Sequence, residues 1–168
     1  MKKTLLTSLF AFLFASYGNA QKIDNTPIAA LDLNKYLGDW YEIARFDHSF
    51  ERGVEFCKAN YSMRKDGKIA VTNTGIKDGK PKTSNGKAKT TDTPALLRVS
   101  FFGPFYSDYR VMMLDANYQW ALVGSGSAKY LWILSRTPQL PKATLDTILA
   151  EAKRRGYDIS KLIWVKQK

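Results

Sequence analysis

Across 168 residues the chain has one cysteine and one histidine, and these two shortages exclude whole classes of chemistry. Cys57 alone supplies no intramolecular disulfide, no CxxC zinc or redox motif and no thiolate metal cage. His48 alone supplies no HExxH helix and no three-histidine zinc site, and there is no GxSxG elbow whose serine it could serve. No metal site and no cofactor are therefore expected. Acidic residues are also scarce: 15 Asp+Glu stand against 26 Lys+Arg, a formal charge of +11. Long apolar runs are missing except at the amino terminus, and that one falls short of the ~20 residues a membrane-spanning helix needs. What is present is a globular composition, 45% hydrophobic, 13% aromatic and 24% charged. That is enough apolar material to bury a core, and the length suits one domain.

The amino terminus has the layout of an export signal. Met1-Lys2-Lys3 is a basic start, Leu5 to Phe14 is apolar apart from Thr7 and Ser8, and Gly18-Asn19-Ala20 places small residues before a cleavage point. Residues 1–20 are thus expected to be a signal peptide, 21–30 an N-terminal extension and 31–168 the folded domain. A lipid-anchored bacterial protein would need a cysteine as its first mature residue. The only cysteine lies at position 57, so no anchor cysteine is expected.

From Trp40 to Arg136 short β-like runs alternate with turn residues. They cover 40–46, 58–65, 68–75, 84–91, 95–102, 108–115, 119–124 and 130–136, with Asp66-Gly67 and Asp78-Gly79 as hairpin dipeptides. Period-2 alternation gives each run one apolar face: Leu97, Val99 and Phe101; Ile69, Val71 and Asn73; Ala59, Tyr61 and Met63. The fold class is all-β. Eight antiparallel up-and-down strands close most simply into a barrel, because closure removes exposed edges. After Pro141 the period changes. Leu145, Ile148, Leu149 and Ala152 form a helical stripe, Lys153, Arg154 and Arg155 fill the last turn, and Gly156 caps it. This helix is expected to pack outside the barrel, with 162–165 as a short last strand and the segment around Leu33, Tyr36 and Leu37 as a plug at one end.

Three ordered blocks resemble the signature of the lipocalins. Gly38-Asp39-Trp40 is similar to the GxW that opens their first strand, Asp115-Ala116-Asn117-Tyr118 to the DxxY turn, and Ile133 to Pro138 to the block carrying an arginine after the eighth strand. Phe50-Glu51-Arg52-Gly53, Ser100 to Tyr106 and Leu131 to Leu134 resemble the bacterial outer-membrane and apolipoprotein D-like subgroup. The resemblance implies a calyx whose closed end holds Trp40 stacked with Arg136, and Gly38, Asp115, Tyr118 and these two residues are assigned structural roles. It implies a fatty acid or lysophospholipid as ligand, and residence in the periplasm or at the outer membrane.

Inward aromatics on the strands are the candidates for lining such a pocket: Tyr61, Phe101, Tyr109, Tyr130 and Trp132, whose other possible role is ordinary core packing. Asn73 shares their face and holds either a ligand head group or water, or is a satisfied structural amide. Glu42 falls on the Trp40 side and is either paired or displaced by a bulge; it is not assigned a catalytic part. The expected function is non-enzymatic carriage of the lipid. The alternative is a thiol-dependent isomerase or peroxide-reducing enzyme using Cys57, and a filled barrel acting as an interaction surface is a third reading. His48 lies in a loop without the geometry of a haem ligand. The basic groups at Lys77, Lys80, Lys82, Lys87 and Lys89 and at residues 153–155 suit an anionic membrane surface better than nucleic acid, since no stacking motif is visible; a merely solvated face is the other reading. The oligomeric state is not legible.

Overall fold

The computed structural model describes residues 22–167; the expected signal peptide, 1–20, lies outside them. A four-residue helix α1 (Leu33–Tyr36) is followed by β1 (Gly38–Phe46), β2 (Val54–Met63), β3 (Ile69–Lys77), β4 (Lys80–Thr90), β5 (Leu96–Phe102), β6 (Phe105–Leu114), β7 (Trp120–Gly124), β8 (Leu131–Ser135), helix α2 (Lys142–Arg154) and β9 (Leu162–Trp164). The ladder runs from β2 through β8 to β1, and β1 pairs back to β2 from Gly38↔Tyr61 to Tyr41↔Lys58. Eight antiparallel strands therefore close into an up-and-down barrel with α2 outside it. Strand limits differ from the sequence expectation by a few residues. The largest shifts lie at β2, β4 and β6, where polar or turn-rich residues still pair: Val54↔Lys77, Lys77↔Lys80 and Phe102↔Phe105.

The closed end is built around one guanidinium. Trp40 is fully buried, its ring lies 3.8 Å from Arg136 Cζ, and its indole nitrogen donates to the Tyr36 carbonyl at 2.8 Å. Arg136 donates onward to the carbonyls of Lys35 (2.7 Å), Leu37 (2.9 Å) and Asp39 (2.8 Å), which are the unsatisfied acceptors where α1 ends and β1 begins. The planar fork of arginine serves several acceptors while its face stacks on the indole, which an ammonium cannot do. Gly38 sits at φ +95°, and a Cβ there would meet Arg136 Nη1 at 3.4 Å. Asp115 caps the β6–β7 turn by accepting from the amides of Asn117 and Gln119 (3.0 and 3.2 Å), and Tyr118 accepts from the Asp32 amide at 2.9 Å. The turn thereby holds the N-cap of the plug.

β1 carries a bulge at Ile43, since Glu42 pairs with Leu134 while Ala44 pairs with Ile133. Beyond Tyr41 it parts from β2, and the carboxyl-terminal strand occupies the gap. β9 pairs with Ala44 to Phe46, Phe56 donates to the Lys166 carbonyl at 2.8 Å, and the Gln167 amide bridges the carbonyls of Glu42 and Cys57 at 2.7 and 3.0 Å.

Two apolar cores result. One lies inside the barrel around Trp40, Tyr36, Val71, Leu97 and Val123. The other lies outside, where Ile148 and Ala152 of α2 are fully buried against a surface that includes Phe46, Met112 and Ile133. Met63, expected inward, is 49% exposed, because it ends β2 where no plug residue covers it. Substituting Arg136→Lys removes the fork and the flat stacking face, and is expected to lower the unfolding free energy by about 2–4 kcal/mol. Urea denaturation followed by tryptophan fluorescence measures this; an unchanged midpoint would contradict the clamp.

Candidate functional site

Above the Trp40 floor the barrel is hollow. A cavity of about 510 Å³ opens at the end that carries the β1–β2, β3–β4, β5–β6 and β7–β8 connections. Its size falls within the usual 300–1,000 Å³ range of small-molecule sites.

The inward face predicted by alternation is the face that lines it. Tyr61 on β2 and Tyr109 on β6 stand at the floor, joined through their hydroxyls at 3.0 Å. Asn73 on β3 stands higher, opposite Ala59, with its side-chain oxygen buried and accepting no hydrogen bond from the described residues. Phe101 lies just below the β5–β6 turn, and Tyr130 and Trp132 flank the mouth with rings 5.9 Å apart at 9°. All six candidate lining residues therefore face one space. A closed barrel whose inner surface is mostly apolar and which has one mouth is suited to take up the hydrocarbon part of a ligand and leave its polar part near solvent.

One wall is charged, in a way that alternation did not predict. Glu42 faces inward with Trp40, the bulge at Ile43 turns Arg45 to the same side, and the two side chains meet at 2.6 Å. Of the two readings open for Glu42, it is paired, and the bulge follows it. Arg45 also donates to the carbonyls of Glu51 (2.7 Å) and Val54 (3.3 Å), fastening the β1–β2 connection across the barrel. Glu51 lies 2.9 Å from His48 Nε2 and accepts from the Trp132 indole at 3.3 Å. Burial, reinforced by Glu51 and opposed by Arg45, pushes the Glu42 carboxyl up to about 8. Burial alone would lower Arg45, but Glu42, together with Cys57 and Glu51, raises it above its ordinary value and keeps the guanidinium charged. Arg45 and Glu51 escaped sequence reasoning. The FERG residues were noted only as part of the resemblance, and an i, i+3 pair in a strand faces one side only through a bulge.

Cys57 is buried, and its thiol donates to the Val54 carbonyl at 3.4 Å. Burial, with Glu42 adding to it, pushes the thiol up to about 12. Thiolate is the reactive form, so this environment works against a nucleophilic role. His48 is held by rings, stacked on Phe50 at 3.9 Å and set against Tyr130 and Trp132.

The mouth is apolar at its tips and basic at its flanks. Phe102 and Phe105 are 75% and 78% exposed at the β5–β6 turn, and Phe50 is 46% exposed in the β1–β2 connection. Lys77 and Lys80 flank the neighbouring β3–β4 turn, Lys82 donates to the Phe50 carbonyl, and Lys129 is exposed next to Tyr130. The helix residues expected to join this basic surface do not all do so. Arg154 and Arg155 are engaged by Glu151 and reach Asp24, and the arginine hydrogen bonds hold the Glu151 carboxyl down to about 2. Only Lys153 of that trio stays exposed without such an acid partner among the described residues.

A family model described as a lipocalin-like domain matches residues 31–167. The outer membrane lipoprotein Blc of Escherichia coli (strain K12) is 51% identical over 146 residues, covering 84% of this chain and 82% of that protein. Temperature-induced lipocalin-1 of Arabidopsis thaliana is 38% identical over 154 residues (84% and 82% covered), and apolipoprotein D of Mus musculus is 36% identical over 142 (78% and 74%). Among solved structures, insecticyanin from the tobacco hornworm Manduca sexta superposes with a TM-score of 0.70 at 21% identity, covering 86% of this chain and 85% of that one; at that identity the likeness shows the fold. With signature, barrel and relatives in agreement, the chain belongs to the lipocalin family, in the subgroup of the bacterial Blc proteins and apolipoprotein D.

Proposed function

We propose that the protein is a non-enzymatic carrier of one acyl lipid, a fatty acid or lysophospholipid, exported to the cell envelope, and that Tyr61, Asn73, Phe101, Tyr109, Tyr130 and Trp132 contact the ligand. The observation that carries this reading is the single-mouthed apolar cavity of about 510 Å³ inside a closed barrel. The basic amino-terminal segment and the outer-membrane designation of the Blc relatives support the envelope setting. Desolvation supplies the affinity. Burying roughly 14 methylenes at about 0.8 kcal/mol each gains about 11 kcal/mol, against an association cost of about 4–15 kcal/mol. At the low end of that cost the balance of about 7 kcal/mol corresponds to a dissociation constant of several micromolar, with tolerance for chain length.

The mouth supports the second part of the proposal, docking on an anionic membrane surface. Phe102 and Phe105 are large, exposed and adjacent to the cavity opening, and Lys77, Lys80 and Lys129 lie on the same end of the barrel. Each basic residue near such a surface contributes about 1 kcal/mol. A rim seated in the head groups lets an acyl chain pass from bilayer to calyx without crossing water. The enzymatic alternative through Cys57 is disfavoured by the elevated pKa of the thiol.

Isothermal titration with oleate and lysophosphatidylcholine tests the carrier reading. Saturable one-to-one binding is expected, weakened about 5- to 20-fold by Trp132→Ala, which removes a large aromatic from the wall. Cys57→Ser should leave that affinity within about 2-fold, since the exchange keeps a small side chain at that point of the cavity wall. Absence of binding by either lipid would end the carrier reading. Membrane docking is measured separately by sedimentation with phosphatidylglycerol vesicles. Phe102→Ser combined with Phe105→Ser should reduce the bound fraction at least 10-fold; partition equal to that of the unsubstituted protein would remove the rim from the account.

A further inference from the structure

The floor of the cavity is not purely apolar, and a count of its protons shows what it lacks. Three phenol hydroxyls meet there. Tyr36 and Tyr109 are 2.7 Å apart, and Tyr61 donates to Tyr109 at 3.0 Å. Three O–H groups share two contacts, so one proton has no acceptor among the described residues.

Where that proton lies follows from burial. If Tyr109 donated to Tyr36, the orphan proton would belong to Tyr36, which is 0% exposed, packed against Trp40 and the Tyr61 ring, and absent from the cavity wall. A buried donor without a partner is the costlier arrangement. If Tyr36 instead donates to Tyr109, the Tyr109 oxygen accepts two hydrogen bonds, one for each lone pair. Its own proton is then free, and Tyr109 lines the cavity. The floor thus presents one directed donor to whatever fills the calyx.

The charge around this donor selects its acceptor. The cations at the cavity wall are engaged elsewhere: Lys82 is bound to the Phe50 carbonyl at the mouth, Lys58 has its ammonium 4.6 Å over the Tyr41 ring, and Arg45 is bound to Glu42 and to the carbonyls of Glu51 and Val54. Arg136 lies beyond Trp40, occupied by backbone carbonyls. An anionic oxygen would be desolvated at the floor with one neutral donor and no counter-charge, which is strongly unfavourable. A neutral oxygen is matched by that one donor.

Resting on the carrier reading, we propose that the floor is a subsite for a neutral, hydrogen-bond-accepting oxygen at the inner end of the ligand, held by the Tyr109 hydroxyl, so that the preferred cargo is an acyl chain oxygenated at or near its far terminus. A plain methyl terminus fits the space but leaves the donor unanswered.

Calorimetric titration of the wild-type protein and of Tyr109→Phe with palmitate and 15-oxopalmitate, whose ketone oxygen accepts a hydrogen bond and brings no proton of its own, tests this at pH 7.4, where the carboxylate is charged and stays at the mouth. Wild type should bind 15-oxopalmitate at least as tightly as palmitate. Tyr109→Phe should weaken the keto ligand about 10-fold more than it weakens palmitate, the worth of one hydrogen bond with its desolvation. Tyr61→Phe keeps the Tyr109 proton and should keep the preference. The proposal is overturned if the keto group weakens wild-type binding about 10-fold or more, as an apolar floor would require, or if Tyr109→Phe shifts both ligands alike. The wild-type ratio decides the matter alone should Tyr109→Phe fail to fold. Binding of neither ligand overturns the carrier reading together with the floor; binding of the keto ligand alone supports the floor and discards plain acyl chains as cargo.

Discussion

The calyx depends on the contact between the Arg136 guanidinium and the Trp40 indole, 3.8 Å apart at the closed end. Closing a barrel end leaves two problems: the carbonyls where the plug stops, and the large apolar surface beneath it. One planar cation answers both. Its edge satisfies the carbonyls of Lys35, Leu37 and Asp39, and its face covers the ring. Burial lowers the pKa of Arg136 only from a very high ordinary value, so the charge persists where lysine would be open to neutralisation. With the floor sealed from outside, the strands above it need not fill the interior.

The second constraint is the bulge at Ile43. One additional residue in β1 reverses the facing of everything after it, and that reversal puts Arg45 beside Glu42 inside the wall. It also makes β1 diverge from β2, which opens the gap that the carboxyl-terminal residues cover. From Arg45 the connections reach Glu51, and from Glu51 they reach Trp132 at the mouth. The β1–β2 connection is thus tied to the side of the barrel opposite the basic β3–β4 turn by charge-assisted contacts, which are stronger than neutral ones. A mouth that must hold its shape beside a membrane gains from such a tether.

These two constraints differ in how far they could be read before the structure. Trp40 and Arg136 sit in motifs with a resemblance to draw on, and alternation on β2, β3 and β5 located Tyr61, Asn73 and Phe101, because period-2 burial is a direct consequence of the pleat. The bulge has no such mark. Strict alternation points Arg45 outward, and only the paired register of β8 reveals otherwise. Met63 misled for a related reason: it obeys the alternation, but β2 has already passed the floor, and depth along a barrel is not written in a period. Arg154 and Arg155 count toward the basic surface in the sequence, yet Glu151 stands three and four residues before them, a spacing that forms helical ion pairs. The Tyr36 hydroxyl was hidden because its partner, Tyr109, is 73 residues away.

A hollow interior raises a question of stability, since an empty apolar cavity forfeits the dispersion contacts that a packed core supplies. The answer lies in the division between the two cores. The outer one, where Ile148 and Ala152 of α2 are buried against Phe46, Met112 and Ile133, is packed without reference to any ligand. So are the plug and the clamp beneath the cavity. Gly156 at φ +89°, where a Cβ would meet the Lys22 carbonyl at 2.9 Å, lets the helix end against the amino-terminal extension and completes that outer layer. Because folding draws on these external contacts, the inner wall is free to be selected for its occupant. The same separation explains why polar groups survive inside. A tyrosine trio and a carboxyl–guanidinium pair would be poor choices for a solid core, yet in a hollow one they are the features by which one lipid differs from another.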